Sequence, residues 1–343
     1  MPPVQPSSPT DTLEPVDREL LDLLQQRFPI APRPWAVLGE ALGLPGEAVL
    51  NRVKQLKESG LIRQISAIFD TRSLGYHSTL VAGRALEAEL DTVGARIGEH
   101  PGVTHNYRRE AEFNLWFTFA VPPEQDLEAE LAKLAERAGL EHYRALPTER
   151  TFAIGVKLAM SDKAGRDKSA SPAPAAPLRR EPLAEPLSER DRELVRQLQV
   201  DLPLVDRPFD AACERAGIDF DALADWMGRM RERGVMRRFA AVLRHRQAGF
   251  SANGMVCWQV PAEHIEEAGR IAAEFDAVSH CYQRPRYPDW PFNLYTMVHA
   301  RSEAACEQVV QRIAEALSRF GDAPRRILYS TKEYKKTRLQ YFV

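Results

Sequence analysis

Gly43-Leu44-Pro45 separates two helical patterns, the second running from Glu47 to Ser59 and stopping at Gly60-Leu61-Ile62-Arg63, where a β-rich stretch begins. The same grammar returns at Gly217-Ile218-Asp219, Phe220 to Arg233, and Gly234-Val235-Met236-Arg237. A glycine closes each helix because it accepts the left-handed conformation at a helix end. Upstream, Trp35 to Leu42 and Phe209 to Ala216 form short second helices, and the amphipathic sets Leu20, Leu21, Leu23, Leu24 and Leu194, Val195, Leu198 mark a first helix in each case. Helix, helix, glycine-containing turn, helix is the helix-turn-helix pattern.

Working outward, Asp17-Arg18-Glu19-Leu20 returns as Asp191-Arg192-Glu193-Leu194, Arg33-Pro34-Trp35 as Arg207-Pro208-Phe209, and Gly75-Tyr76 as Gly249-Phe250, all at one offset. The chain is a tandem duplication. The offset slips by one residue at His105-Asn106-Tyr107 and His280-Cys281-Tyr282, and by four more at Phe113-Asn114-Leu115 and Phe292-Asn293-Leu294. The added residues therefore fall between a His-x-Tyr and a Phe-Asn-Leu.

Each helical part leads into strand-like runs. In copy one these are Ile62–Phe69, Ser78–Arg84, Val103–Tyr107, Leu115–Val121 and Arg144–Val156, with helices near Leu90–His100 and Glu124–Ala138. Copy two repeats them as Arg237–Leu243, Met255–Val260, Ala277–Tyr282, Leu294–His299 and Arg325–Ser330, with helices at Ala262–Glu274 and Glu303–Arg319. With the first strand set aside as a connector, the order βαββαβ predicts an α+β protein: two tandem copies of a helix-turn-helix followed by a ferredoxin-like domain. One sheet face covers the helices and the other is expected to be free for a ligand or partner. The expected units are a disordered tail (1–12), helix-turn-helix 1 (13–61), ferredoxin-like domain 1 (62–160), a Pro/Ala-rich linker (161–187), helix-turn-helix 2 (188–235) and ferredoxin-like domain 2 (236–343). A linker of that length lets the copies pack as an internal pseudo-dimer.

A net charge of −2 in 343 residues gives no global attraction to nucleic acid or an anionic membrane. The start has no secretory pattern and no run is long enough to span a bilayer, which makes the cytoplasm the expected location. The four cysteines are scattered and read as buried thiols.

The architecture resembles the Lrp/AsnC transcriptional regulators. Thr104-His105-Asn106-Tyr107-Arg108-Arg109-Glu110 with Phe113-Asn114-Leu115-Trp116-Phe117-Thr118, and the stretches Gly234 to Arg246 and Ser279-His280-Cys281-Tyr282 through Tyr295, resemble the siroheme decarboxylases in their fused form, copy one the D-type and copy two the L-type. That resemblance implies removal of carbon dioxide from two acetate side chains of siroheme to give didecarboxysiroheme, on the route to heme d1. The same step in a siroheme-dependent route to protoheme stays open, as does a DNA-binding regulator or heme sensor. Asp219, Asp221 and Asp225 oppose a polyanion on the second recognition helix, while Glu47, Arg52, Lys54 and Lys57 leave the first ambiguous. The implied ligands are siroheme and monodecarboxysiroheme, with no cofactor beyond the substrate's iron and no DNA or membrane partner. Companion G/H-type decarboxylase subunits and a further homodimer stay open.

Siroheme carries eight carboxylates on a flat ring, which calls for an apolar slot rimmed by arginines. The candidates for binding are Arg237, Arg238, Arg244, Arg246, Arg284, Arg286, Trp290 and Asn293 in copy two, with Arg63, Arg108 and Arg109 from copy one. Losing carbon dioxide requires general acids, a role open to His280, Tyr282, His105 and Tyr107. Each His and Tyr pair lies two apart on a strand and so shares a face. His280 or His105 is also a candidate axial ligand to the substrate iron. The loop Gln283 to Asp289, with its two arginines, favours copy two as the main site.

Overall fold

The computed structural model describes residues 13–26, 28–154, 186–243, 252–300 and 302–343. Copy one runs α1 (Pro15–Gln26), α2 (Pro34–Leu42), α3 (Gly46–Glu58), β1 (Ile62–Phe69), β2 (His77–Arg84), α4 (Leu90–Glu99), β3 (Val103–Arg109), β4 (Leu115–Val121), α5 (Leu127–Ala138), β5 (His142–Leu146) and β6 (Arg150–Ile154). Copy two runs α6 (Glu189–Gln199), α7 (Asp210–Ala216), α8 (Phe220–Glu232), β7 (Met236–Leu243), β8 (Ala252–Trp258), α9 (Ile265–Ala273), β9 (Val278–Gln283), β10 (Leu294–Ala300), α10 (Glu303–Leu317) and β11 (Arg325–Lys336). Most of the expected linker and the expected tail lie outside the described residues. Gly43 and Gly217, at φ 67° and 63°, make the turn that ends α2 and α7, as a residue without Cβ can. Ser188 and Asp191 cap α6 reciprocally. Among the described residues no helix is long and apolar enough to cross a membrane.

The connectors β1 and β7 pair with each other, antiparallel, from Ile62↔Leu243 to Phe69↔Met236. This ribbon and both helix-turn-helix units share one core, in which Phe28 meets Trp35 of its own copy and Phe209 and Phe239 of the other. The C-terminal residues Leu339, Tyr341 and Phe342 pack into the same core.

The remaining strands run in the order β5-β2-β4-β3-β11-β8-β10-β9-β6. The two halves exchange strands. β11 first pairs its own β8 through Tyr329↔Gly254, then crosses to β3 from Ser330↔Arg109 to Lys336↔His105. In copy one the equivalent segment is broken where Pro147 stands, so the single strand expected from Arg144 onward is two: β5 on its own β2, and β6 on β9 from Arg150↔Gln283 to Ile154↔His280. The crossing segments dock through aromatic rings on glycines. A Cβ at Gly94 of α4 would strike the Tyr334 ring at 2.6 Å, and one at Gly269 of α9 the Phe152 ring at 2.3 Å.

Part of the sheet face expected to be free is covered. Ala82, Phe113, Trp116 and Leu146 of copy one pack against Met255, Cys257, Trp290, Phe292, Tyr295 and Leu328 of copy two. These side chains are too apolar for a solvent-facing surface, and burying each large one contributes about 1.5–3 kcal/mol. The opposite faces cover α4 with α5 and α9 with α10.

Candidate active site

Both His-x-Tyr motifs sit on a β-bulge. In β3 the register runs from Val103↔Phe119 to Asn106↔Phe117, leaving Thr104 and His105 opposite Thr118. In β9 it runs from Val278↔Val298 to His280↔Met297, leaving Ser279 as the extra residue. A bulge re-aims side chains, and here it seats a hydroxyl against each imidazole. Thr104 Oγ1 lies 3.0 Å from His105 Nδ1 and 2.6 Å from Thr118 Oγ1. Ser279 Oγ lies 2.8 Å from His280 Nδ1 and 2.6 Å from His299 Nε2, and His299 Nδ1 lies 2.5 Å from Asn253 Oδ1. The residue between His and Tyr points the other way in both copies: Asn106 Nδ2 donates to the Gly94 carbonyl and Cys281 Sγ to that of Gly269. The His and Tyr rings therefore share the opposite face, with centroids 6.3 Å apart in copy one and 6.0 Å in copy two.

Burial, reinforced by Lys336 and Arg63, lowers His105 to about 4. Burial likewise lowers His280 to about 4, with His299 and His105 adding to it. The two motifs thus lie within electrostatic reach of one another. Lys336 is the register partner of His105, whereas the equivalent partner of His280 is Ile154.

A cavity of about 590 Å³ opens at His105, between the sheet of copy one, the strand β1 and the C-terminal segment. Arg63, Thr104, His105, Thr118, Arg338 and Tyr341 are among its lining residues. Its size is that of small-molecule sites. Burial lowers Arg338, and the nearby Arg63 and Arg238 push in the same direction. Arg63, Arg238, Lys336 and Arg338 make this a cationic corner.

Other candidates are placed elsewhere. Arg284 donates to the carbonyl of Leu146 and stacks over Tyr282 (5.0 Å) and Tyr295 (5.6 Å). Arg109 donates to the carbonyl of Leu328 and lies 5.6 Å from the Tyr107 ring. Arg286 donates to the Val260 carbonyl, and the Asn293 amide bonds both backbone groups of Val260 at 2.9 and 3.0 Å. Asn114 does the same with Ala85. Trp290 is 1 % exposed, wedged against Phe113 and Trp116. The Gln283 to Asp289 loop acts as a clasp on copy one: Tyr287 donates to the Ala145 carbonyl at 2.6 Å, and Asp289 pairs with Arg144 and His142 at 2.9 and 3.1 Å. Arg237 is held by Asp70, whose carboxyl stays below its ordinary value because bonds from Arg237 and Ser73 outweigh the opposing effect of burial. Arg108 pairs with Glu87. Arg244 and Arg246 lie outside the described residues.

Thr104, Ser279, Lys336 and Arg338 were not among the residues picked from sequence. The basic run Lys332, Lys335, Lys336, Arg338 was a signal for the last two. On the first recognition helix, Arg52 is paired with Glu14 and Asp17, and Lys57 with Asp201. On the second, Asp219 caps its helix by accepting from the Ala222 N–H.

A helix-turn-helix joined to a ferredoxin-like unit, duplicated and strand-exchanged, defines the Lrp/AsnC class of architecture. The AsnC-like ligand-binding domain matches residues 73–153 and 247–335, and the siroheme decarboxylase NirDL-like helix-turn-helix domain matches 17–63 and 191–237. The chain belongs to the NirDL-type siroheme decarboxylase family. It is 37% identical over 327 residues to the siroheme decarboxylase of Hydrogenobacter thermophilus, covering 94% of each chain. It is 32% identical to the siroheme decarboxylase NirDL subunit of Paracoccus denitrificans, covering 95% of this chain and 97% of that one. A crystal structure of the siroheme decarboxylase NirDL in complex with an iron-uroporphyrin III analogue is similar at TM-score 0.75 and 33% identity, over 96% of this chain and 95% of that one.

Proposed function

We propose that this enzyme removes carbon dioxide from two acetate side chains of siroheme, through monodecarboxysiroheme, to give didecarboxysiroheme for heme d1 formation. The observation that carries the reading is the His105 cavity, where an imidazole meets Arg63, Lys336 and Arg338. A polycarboxylate ring needs such cations to orient its acids. Each event converts a ring-bound CH2–COO⁻ and one proton into a methyl group and carbon dioxide. The carbon–carbon electron pair flows into the ring and the new methyl carbon takes the proton. That proton comes from His280, with Tyr282 beside it.

His105, kept neutral by burial and by Lys336 and Arg63, suits an axial contact to the substrate iron, since a ligating imidazole must be unprotonated. One imidazole cannot hold iron and donate a proton through the same nitrogen, so the two copies divide the roles. The substrate's iron is the only metal the reading requires. Both subunit types are present in one chain, and the reaction needs no companion G/H-type subunit in this reading. The recognition helices, with Arg52 and Lys57 committed to ion pairs, are scaffold and not DNA readers. The cytoplasm is the proposed location. Incubating the protein with siroheme without oxygen and following tetrapyrrole mass tests the reading: two successive losses of carbon dioxide are expected, and unchanged siroheme contradicts it.

A further inference from the structure

We infer that His299 is a proton-loading residue that recharges His280 through the Ser279 hydroxyl. The inference rests on the assignment of His280 as the acid. Each decarboxylation consumes one proton, so the acid must be reloaded twice for each siroheme. A substrate seated against the Nε2 side of His280 excludes water there. Reloading must then come through Nδ1, and Nδ1 faces Ser279, which is 5 % exposed.

The chain of bonds continues outward: His280 Nδ1 to Ser279 Oγ at 2.8 Å, Ser279 Oγ to His299 Nε2 at 2.6 Å, His299 Nδ1 to the exposed Asn253 at 2.5 Å. As an imidazolium, His299 donates from Nδ1 to Asn253 Oδ1 and from Nε2 to Ser279, whose own hydroxyl proton points at His280 Nδ1. Shifting each proton one bond along leaves His299 and Ser279 neutral and makes His280 an imidazolium, with its Nε2–H toward the substrate. Rotation of the Ser279 hydroxyl, a tautomer exchange at each imidazole and uptake of one solvent proton by His299 at its outer nitrogen, Nδ1, reset the chain.

Copy one lacks this path. Thr104 fills the role of Ser279, but among the described residues its hydroxyl continues to Thr118 at 2.6 Å, and Ala120 occupies the β4 position equivalent to His299. Copy two thus has an imidazole where copy one has a methyl group, and it falls where a proton would enter.

The test is steady-state decarboxylation of siroheme by wild type, His299→Gln and Ser279→Thr, without oxygen, across imidazole concentrations and in light and heavy water. Glutamine can keep the hydrogen bond to Ser279 but cannot carry a proton. We expect His299→Gln to lower kcat tenfold or more with KM unchanged, to raise the solvent isotope effect, and to be rescued by free imidazole. Ser279→Thr keeps the bridging hydroxyl, so free imidazole should not raise its kcat. Wild-type kcat in folded His299→Gln overturns the relay while leaving the decarboxylase reading standing. A loss that imidazole does not restore assigns His299 a structural role and also overturns it. No conversion by wild type overturns both.

Discussion

Arg109 and Arg284 occupy equivalent positions in the two copies, and each donates to the main-chain carbonyl of the other copy, Arg109 to Leu328 and Arg284 to Leu146. Both guanidinium groups are buried, at 4 and 8 % exposure. The half-molecules are therefore fastened at two matching points beside the two tyrosines of the His-x-Tyr motifs. Replacing Arg284 by Met should cost about 2–4 kcal/mol, because it strands a buried carbonyl and unstacks Tyr282. Thermal unfolding should show a lower Tm in one transition. Separate melting of two halves would contradict the fastening.

The Phe-Asn-Leu asparagines bond backbone on both sides. Asn293→Ala should cost about 2 kcal/mol in stability with little change in the affinity for tetrapyrrole. A spectroscopic titration of the folded variant checks this, and a tenfold weaker Kd would return Asn293 to the substrate.

The cationic corner makes the opposite prediction. Arg338→Ala or Arg63→Ala should weaken siroheme binding about tenfold, near 1.4 kcal/mol, and reduce its salt dependence, with a smaller effect on stability. Affinity unchanged in both variants would move the carboxylates elsewhere.

The duplication, the helix-turn-helix and the shared face of each His-x-Tyr were legible because they rest on local signals: a constant offset, a glycine turn and a period of two. The bulges were not, since a bulge is visible only against a partner strand. Nor was the exchange of strands. β11 was read as ending at Ser330 because its own copy's sheet ends there, and the residues beyond it pair with a strand more than two hundred positions away. The partners of the arginines were not legible for the same reason: the residue type announces a carboxylate or carbonyl partner, but only the packing shows that Arg237 meets Asp70 and Arg286 meets the Val260 carbonyl.

Both motif histidines sit near 4, below the unfolded value of about 6.5. The fold favours their neutral forms, so the unfolded chain binds more protons and stability falls as pH drops from about 6.5 through 4. The shifts amount to roughly 3 kcal/mol for each histidine. His105→Phe with His280→Phe should flatten that decline in urea unfolding at a series of pH values. A polyanionic substrate should raise His280, the histidine not assigned to the iron, so binding near pH 6 should take up protons, measurable by calorimetry in buffers of different ionisation enthalpy. Equal observed heats in all buffers would contradict the linkage.

The most direct measurement is the mass of siroheme recovered after anaerobic incubation with wild type, His280→Ala and His105→Ala. Wild type should yield a product lighter by two carbon dioxide units, and folded His280→Ala should yield almost none at the same enzyme concentration. His105→Ala should bind the tetrapyrrole with an altered iron spectrum. Intact siroheme from wild type, or full conversion by His280→Ala, would contradict the account.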